Sequence, residues 1–207
     1  MSKNGYLRFI FVRHGETTGN SSIRFFGKTD VPLSDEGQEQ MRAACEALKT
    51  EYFDVIFTSN LCRTIEGGRI IAGDRNIPLY AMIEFREIDF GRWEGLTLEE
   101  IEAKDPLLFT EWRKDFWKFD YPEGDRRNDF IEKVKKGIDK VLNKVNNGTV
   151  LLVLHKGIMR TAIYYLLGNL DKNHENFQAD LGSIHELERI NGTWNYKKMN
   201  YTEHLTK

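Results

Sequence analysis

Two kinds of apolar patterning alternate along the chain. Tyr6-Leu7-Arg8-Phe9-Ile10-Phe11-Val12 and the run from Thr149 to Leu154 are almost continuously apolar over a few residues, which predicts short strands buried on both faces. Each run stops on a polar triplet, Arg13-His14-Gly15 and His155-Lys156-Gly157. Asp54 to Thr58 and Pro78 to Met82 predict two further strands. Elsewhere apolar residues recur every three or four positions. Met41, Ala44, Cys45 and Leu48 follow a Ser34 cap, and Phe130, Val134, Ile138, Val141 and Val145 mark a helix over Arg126 to Asn146. Helices are also expected from Leu61 to Ala72 and from the His155 region to about Leu167.

This alternation predicts an α/β fold: a doubly wound, mostly parallel sheet with helices on both faces, in a single domain over residues 1–207. The rhythm breaks over 83–125, where a Thr97-x-x-Glu100 capping box and an Asp105-Pro106 helix start announce two short helices. We read 83–125 as a small helical insertion over the site. Ser183 to Ile190 and Thr193 to Asn200, joined by Asn191-Gly192, predict a closing hairpin.

Composition narrows the function classes. With 207 residues, 40% hydrophobic, 30% charged and a net charge of -2, the chain offers no general attraction for nucleic acid. Its mean hydropathy is -0.54 and no stretch approaches the ~20 apolar residues of a membrane span. Arg8 interrupts the N-terminal apolar run and no small-residue cleavage site follows, so a cytoplasmic protein is expected. Cys45 and Cys62 are too few for a disulfide framework and lack metal-ligand spacing. Nothing indicates a homo-oligomer.

In open parallel sheets ligands bind beyond the carboxyl ends of the strands, which brings the segments after Val12, Thr58 and Leu154 to one crevice. Those segments carry Arg13, His14, Arg63 and His155. Two guanidiniums and two imidazoles beside helix N-termini suit a tetrahedral dianion, and phosphate is the natural guest. Phosphoryl transfer asks mainly for positioning and charge neutralisation, so a nucleophile in such a cradle is a sufficient catalytic device.

Arg13-His14-Gly15-Glu16-Thr17 after the first strand resembles the signature of the histidine phosphatase superfamily in its phosphoglycerate mutase-like branch. The resemblance extends through Asn20, Gly27-x-x-Asp30-x-Pro32-Leu33-Ser34-x-x-Gly37 and Thr58-Ser59-Asn60-Leu61-x-Arg63-Thr64. It continues through Glu87-Ile88-Asp89-Phe90-Gly91-x-Trp93-Glu94-Gly95, Leu154-His155 and Asn200-x-Thr202-x-His204-Leu205. It implies a metal-independent and cofactor-independent phosphomonoesterase. His14 would be the nucleophile, Arg13, Arg63 and His155 would hold phosphoryl oxygens, Asn20 would help, and Glu87 would be the general acid. The partner would be a small phosphate ester.

Three departures from the family pattern bear on the substrate. Lys156-Gly157 stand where relatives often have two small residues, and Lys156 is either a solvated helix-start lysine or a grip for a second anionic group. Pro122-Glu123-Gly124-Asp125-Arg126 replaces a Pro-Gly-Gly-Glu-Ser segment, and Phe26 replaces a common glutamine. The insertion is dense in aromatics, from Phe85 to Tyr121, most of which should be core while a few line a leaving-group pocket. α-Ribazole 5'-phosphate, phosphoglycerates and sugar phosphates are all candidate substrates. The compact chain favours a phosphatase over a 2,3-bisphosphoglycerate-dependent mutase. A silent phosphate-binding or scaffold protein is the alternative of another class, and the intact His14, Arg63, Glu87 and His155 set argues against it.

Overall fold

The structure, a computed structural model, describes residues 6–170 and 176–205. Six strands make one sheet in the order β3-β2-β4-β1-β5-β6. β1 (Leu7–Arg13), β2 (Val55–Ser59), β3 (Leu79–Met82) and β4 (Gly148–Leu154) run parallel, while β5 (Ile184–Ile190) and β6 (Thr193–Tyr201) form the expected antiparallel hairpin. The predicted α/β class, with its mostly parallel sheet, is therefore the observed one.

The near-continuous apolar character of β1 and β4 follows from their place at the centre of the sheet, where both faces are covered. Leu7, Phe9 and Phe11 of β1 and Val150, Leu152 and Leu154 of β4 face one core. Ile10, Val12, Leu151 and Val153, one residue out of phase, face the other. The first core is closed by α5 (Arg127–Lys144) and α6 (Lys156–Leu166), the second by α1 (Asp35–Ala47) and α2 (Cys62–Ala72). Full burial of each such side chain contributes about 1.5–3 kcal/mol.

Helix starts follow local chemistry in most cases. Ser34 Oγ accepts from Gly37 N at 3.1 Å to cap α1. Thr97 and Glu100 form the reciprocal capping box of α3 (Leu98–Lys104). Pro106 opens α4 (Pro106–Lys114), but Asp105 does not cap it through its side chain. Its carboxylate is taken instead by Arg92, at 2.9 and 2.6 Å, and by Trp93 Nε1 at 2.7 Å. A tertiary ion pair thus outcompetes the local cap and ties α4 to the loop that precedes α3. Among the described residues no helix is long and apolar enough to cross a membrane.

Parallel pairing brings the ends of β1 and β4 together, with Arg13 opposite Leu154. His14 N continues the ladder by donating to Leu154 O at 3.0 Å, so the two histidine-bearing turns leave the sheet side by side. Residues 83–125 pack against the α5–α6 side, where Trp93, Ile101 and Phe109 are buried in the same core as both helices.

Candidate active site

The turn after β1 holds His14 by close backbone approach. Gly15 lies against Gly37 in the first turn of α1, and a side chain on either glycine would overlap the backbone of the other segment. His14 is 4% exposed. Its Nδ1 lies 2.7 Å from the Gly15 carbonyl, an acceptor only, so Nδ1 carries the ring proton and Nε2 keeps its lone pair. Burial, then the charges of Arg63 and Arg13, hold the His14 pKa well below the usual imidazole value. The ring is neutral at physiological pH.

His155, at the end of β4, faces His14 with ring centroids 5.0 Å apart. Arg63 Nε donates to His155 Nδ1 at 3.3 Å, which puts the proton of the neutral ring on Nε2, 2.8 Å from Ser59 Oγ. Ser59 Oγ also accepts from Leu61 N, and its own hydrogen serves Thr64 Oγ1, whose hydroxyl reaches Leu61 O. Every polar atom of this chain is thereby satisfied, which fixes the ring. Burial and the nearby cations hold the His155 pKa down as well.

Glu87 comes from the irregular segment after β3 and enters from the opposite side. Its Oε1 accepts from Ile88 N at 2.9 Å and its Oε2 from Gly157 N at 2.8 Å. The glycine leaves room for the carboxylate, since a Cβ at position 157 would stand 2.6 Å from Glu87 Oε1 and displace it. Behind Glu87, the carboxylate of Glu94 accepts from the backbone N–H groups of Gly27, Lys28, Thr29 and Phe90 and gathers two loops onto one anion. The carbonyls of that first loop, at Phe26, Gly27 and Thr29, in turn receive the Arg63 guanidinium.

These groups meet at a cavity of about 810 Å³, far larger than a phosphoryl group alone requires. Arg13, His14, Glu87, His155 and Lys156 line it together. Arg13 is steadied by its Nη1 donating to Ala179 O at 2.7 Å, and burial pushes its pKa down to about 10.

His155, expected to hold phosphoryl oxygens, has both ring nitrogens committed to Arg63 and Ser59, and two other expected site residues stand elsewhere. Arg63 lies behind His155, with its donors committed to three carbonyls and the imidazole and a single Nη1 N–H left over. Asn20 is exposed at the apex of a turn with φ of 59°, because Glu16 draws Thr17, Ser21 and Ser22 inward around its carboxylate. Ser21 and Ser22, not Asn20, line the cavity.

The aromatics divide. Phe85, Trp93 and Phe109 are core, whereas Phe90, Trp112, Phe116 and Tyr121 line the cavity. Arg127 and Arg160 also line it, and sequence reading missed both. Arg160 carried a usable signal, since it falls one helical turn after Lys156 on the helix that begins at the second histidine. Arg127 had none. The Cys62 thiol, pushed up to about 11 by burial and by Asp30, is inert.

Known proteins resemble this chain over most of its length. The family model of the histidine phosphatase superfamily, branch 1, matches residues 9–202. Phosphoserine phosphatase 1 of Hydrogenobacter thermophilus is 32% identical over 202 residues, which cover 96% of this chain and 94% of that protein. The adenosylcobalamin/alpha-ribazole phosphatase of Escherichia coli is 27% identical, over 85% of this chain and 87% of its own. Among solved structures, a phosphoserine phosphatase from Entamoeba histolytica in complex with phosphoserine superposes with a TM-score of 0.82 at 26% identity, covering 97% of this chain and all of that one (100%).

Proposed function

The chain belongs to branch 1 of the histidine phosphatase superfamily and is a phosphatase; from that premise we propose that it hydrolyses a small phosphate monoester through a phosphohistidine on His14, without a metal. The observation that carries the reading is His14 Nδ1 at 2.7 Å from Gly15 O, a contact that puts the ring proton on Nδ1 and leaves Nε2 as a lone-pair nitrogen in a cationic cavity.

In the first step His14 Nε2 attacks phosphorus, the ester P–O bond breaks, and protonated Glu87 gives its proton to the departing alkoxide. In the second, Glu87 takes a proton from water, the water oxygen attacks phosphorus, and the P–N bond returns its electron pair to Nε2. Arg13 and the positive end of the α6 dipole neutralise the phosphoryl oxygens, the charge stabilisation a metal supplies elsewhere. Arg63 acts on His14 and His155 through its charge and its bond to His155 Nδ1, and its remaining N–H is the one left for a phosphoryl oxygen. Alcohol leaving groups of several kinds fit the 810 Å³ cavity. Relatives carry the names of phosphoserine, alpha-ribazole and glucosyl-3-phosphoglycerate phosphatases.

The test is phosphate release under excess chelator from aryl phosphate, phosphoserine, α-ribazole 5'-phosphate, phosphoglycerates and sugar phosphates, with His14→Ala as control. Chelator-resistant turnover lost in His14→Ala is the expected result. Turnover that survives in His14→Ala, or that needs a divalent cation, overturns the reading.

A further inference from the structure

The cavity is also lined by cations that the phosphoryl chemistry does not use. Arg160 stacks its guanidinium on Phe116 and Trp117, at 4.6 and 5.0 Å from the ring centroids. Arg127, 3% exposed, lies over Tyr121 and Phe130 and donates to Phe116 O and the Tyr121 hydroxyl. Lys156 stands one turn before Arg160 on α6. Among the described residues none of the three forms an ion pair, and the Nε atoms of Arg127 and Arg160 are buried without a hydrogen-bond partner.

Buried guanidinium donors left unpaired beside one another are costly, and aromatic stacking fixes the plane without satisfying the N–H groups. Burial and the neighbouring Arg127 push the Arg160 pKa down to about 10, still charged at neutral pH. A pocket of this make-up is completed by an anion.

Resting on the phosphatase reading, we propose that Arg160, with Lys156 and Arg127 beside it, is the subsite for a second anionic group on the leaving alcohol. The substrate is then a phosphorylated acid or a bisphosphate and not the phosphate ester of a neutral nucleoside or sugar. A second anionic group is recognised through its own charge-assisted bonds, so its loss affects binding of the whole ester without touching the phosphoryl grip.

The test is calorimetric binding to His14→Ala protein, which holds esters without turning them over. 3-Phosphoglycerate is compared with glycerol 3-phosphate for the carboxylate, and fructose 1,6-bisphosphate with fructose 6-phosphate for a second phosphate. The expected result is roughly 10- to 100-fold tighter binding of the member that carries the second anionic group in at least one pair, the pair with the larger ratio naming the group. In His14→Ala/Arg160→Gln that ratio falls below about 3-fold. Equal affinities within both pairs overturn the subsite, as does a preference that survives Arg160→Gln. The first comparison needs no change at Arg160, so it stands whether or not that variant folds. Failure here leaves the His14 chemistry intact, because that is judged by turnover of an aryl phosphate, which has no second anion.

Discussion

The floor of the cavity around His14 and its wall at Arg127 and Arg160 are built on different principles. On the floor, polar groups are anchored to backbone: His14 to Gly15 O, Glu87 to Gly157 N, and Arg13 through one Nη to Ala179 O, while Arg63 behind them is held by the 26–29 loop. On the wall, Arg127 and Arg160 rest on aromatic rings, and among the described residues only Arg127 of the two reaches a backbone carbonyl, at Phe116. A backbone-anchored site is fixed in geometry and serves one chemistry, whereas a side-chain-built one changes by substitution and serves recognition. Relatives sharing the fold carry names for different phosphate esters, as that division leads one to expect.

The sharpest way to break the division is at the floor. His14→Ala should lower kcat by at least about 10⁴-fold on every ester, since the neighbouring His155 has both ring nitrogens committed and cannot replace the nucleophile. Glu87→Gln is next. It should cost alkyl esters about 10²- to 10⁴-fold and aryl phosphates, whose leaving groups need no proton, less than about 10-fold. Equal losses on both would remove Glu87 from the acid role. Gly157→Ala should mimic that pattern more weakly, at roughly 10- to 100-fold on alkyl esters, because its Cβ would press on the Glu87 carboxylate 2.6 Å away. A steady-state comparison of alkyl and aryl esters measures both variants.

The smallest effect is a shift and not a loss. With its pKa held well below the usual imidazole value, His14 stays neutral into mild acid, so the acidic limb of kcat/KM assigned to it lies below pH 6.5. Burial is the larger cause and the Arg63 charge the next. Removing that charge in Arg63→Met favours protonated His14, so the limb should move to higher pH. A limb that moves down, or stays, would detach Arg63 from the nucleophile.

The same division explains what the sequence disclosed. The β1 and β4 runs, each ending on a histidine, and the Ser34 and Thr97 caps were legible because their causes lie within a few residues. Asp105 looked like a cap and serves Arg92 and Trp93 instead, a partner choice set by tertiary packing. Asn20 and Arg63 belong to motif segments, yet a turn around Glu16 exposes one and the 26–29 carbonyls draw the other behind His155. The Arg127–Arg160 pairing joins two helices through aromatic rings from a third segment, and no spacing along the chain announces it.

The central claim is tested most directly by rapid acid-free quench of wild-type protein during turnover of a ³²P-labelled ester, followed by peptide mapping. The account predicts transient phosphorus on the His14 peptide, stable to base, labile to acid and absent from His14→Ala. Full turnover with no protein-bound phosphorus at any quench time, or label on another residue, would contradict it.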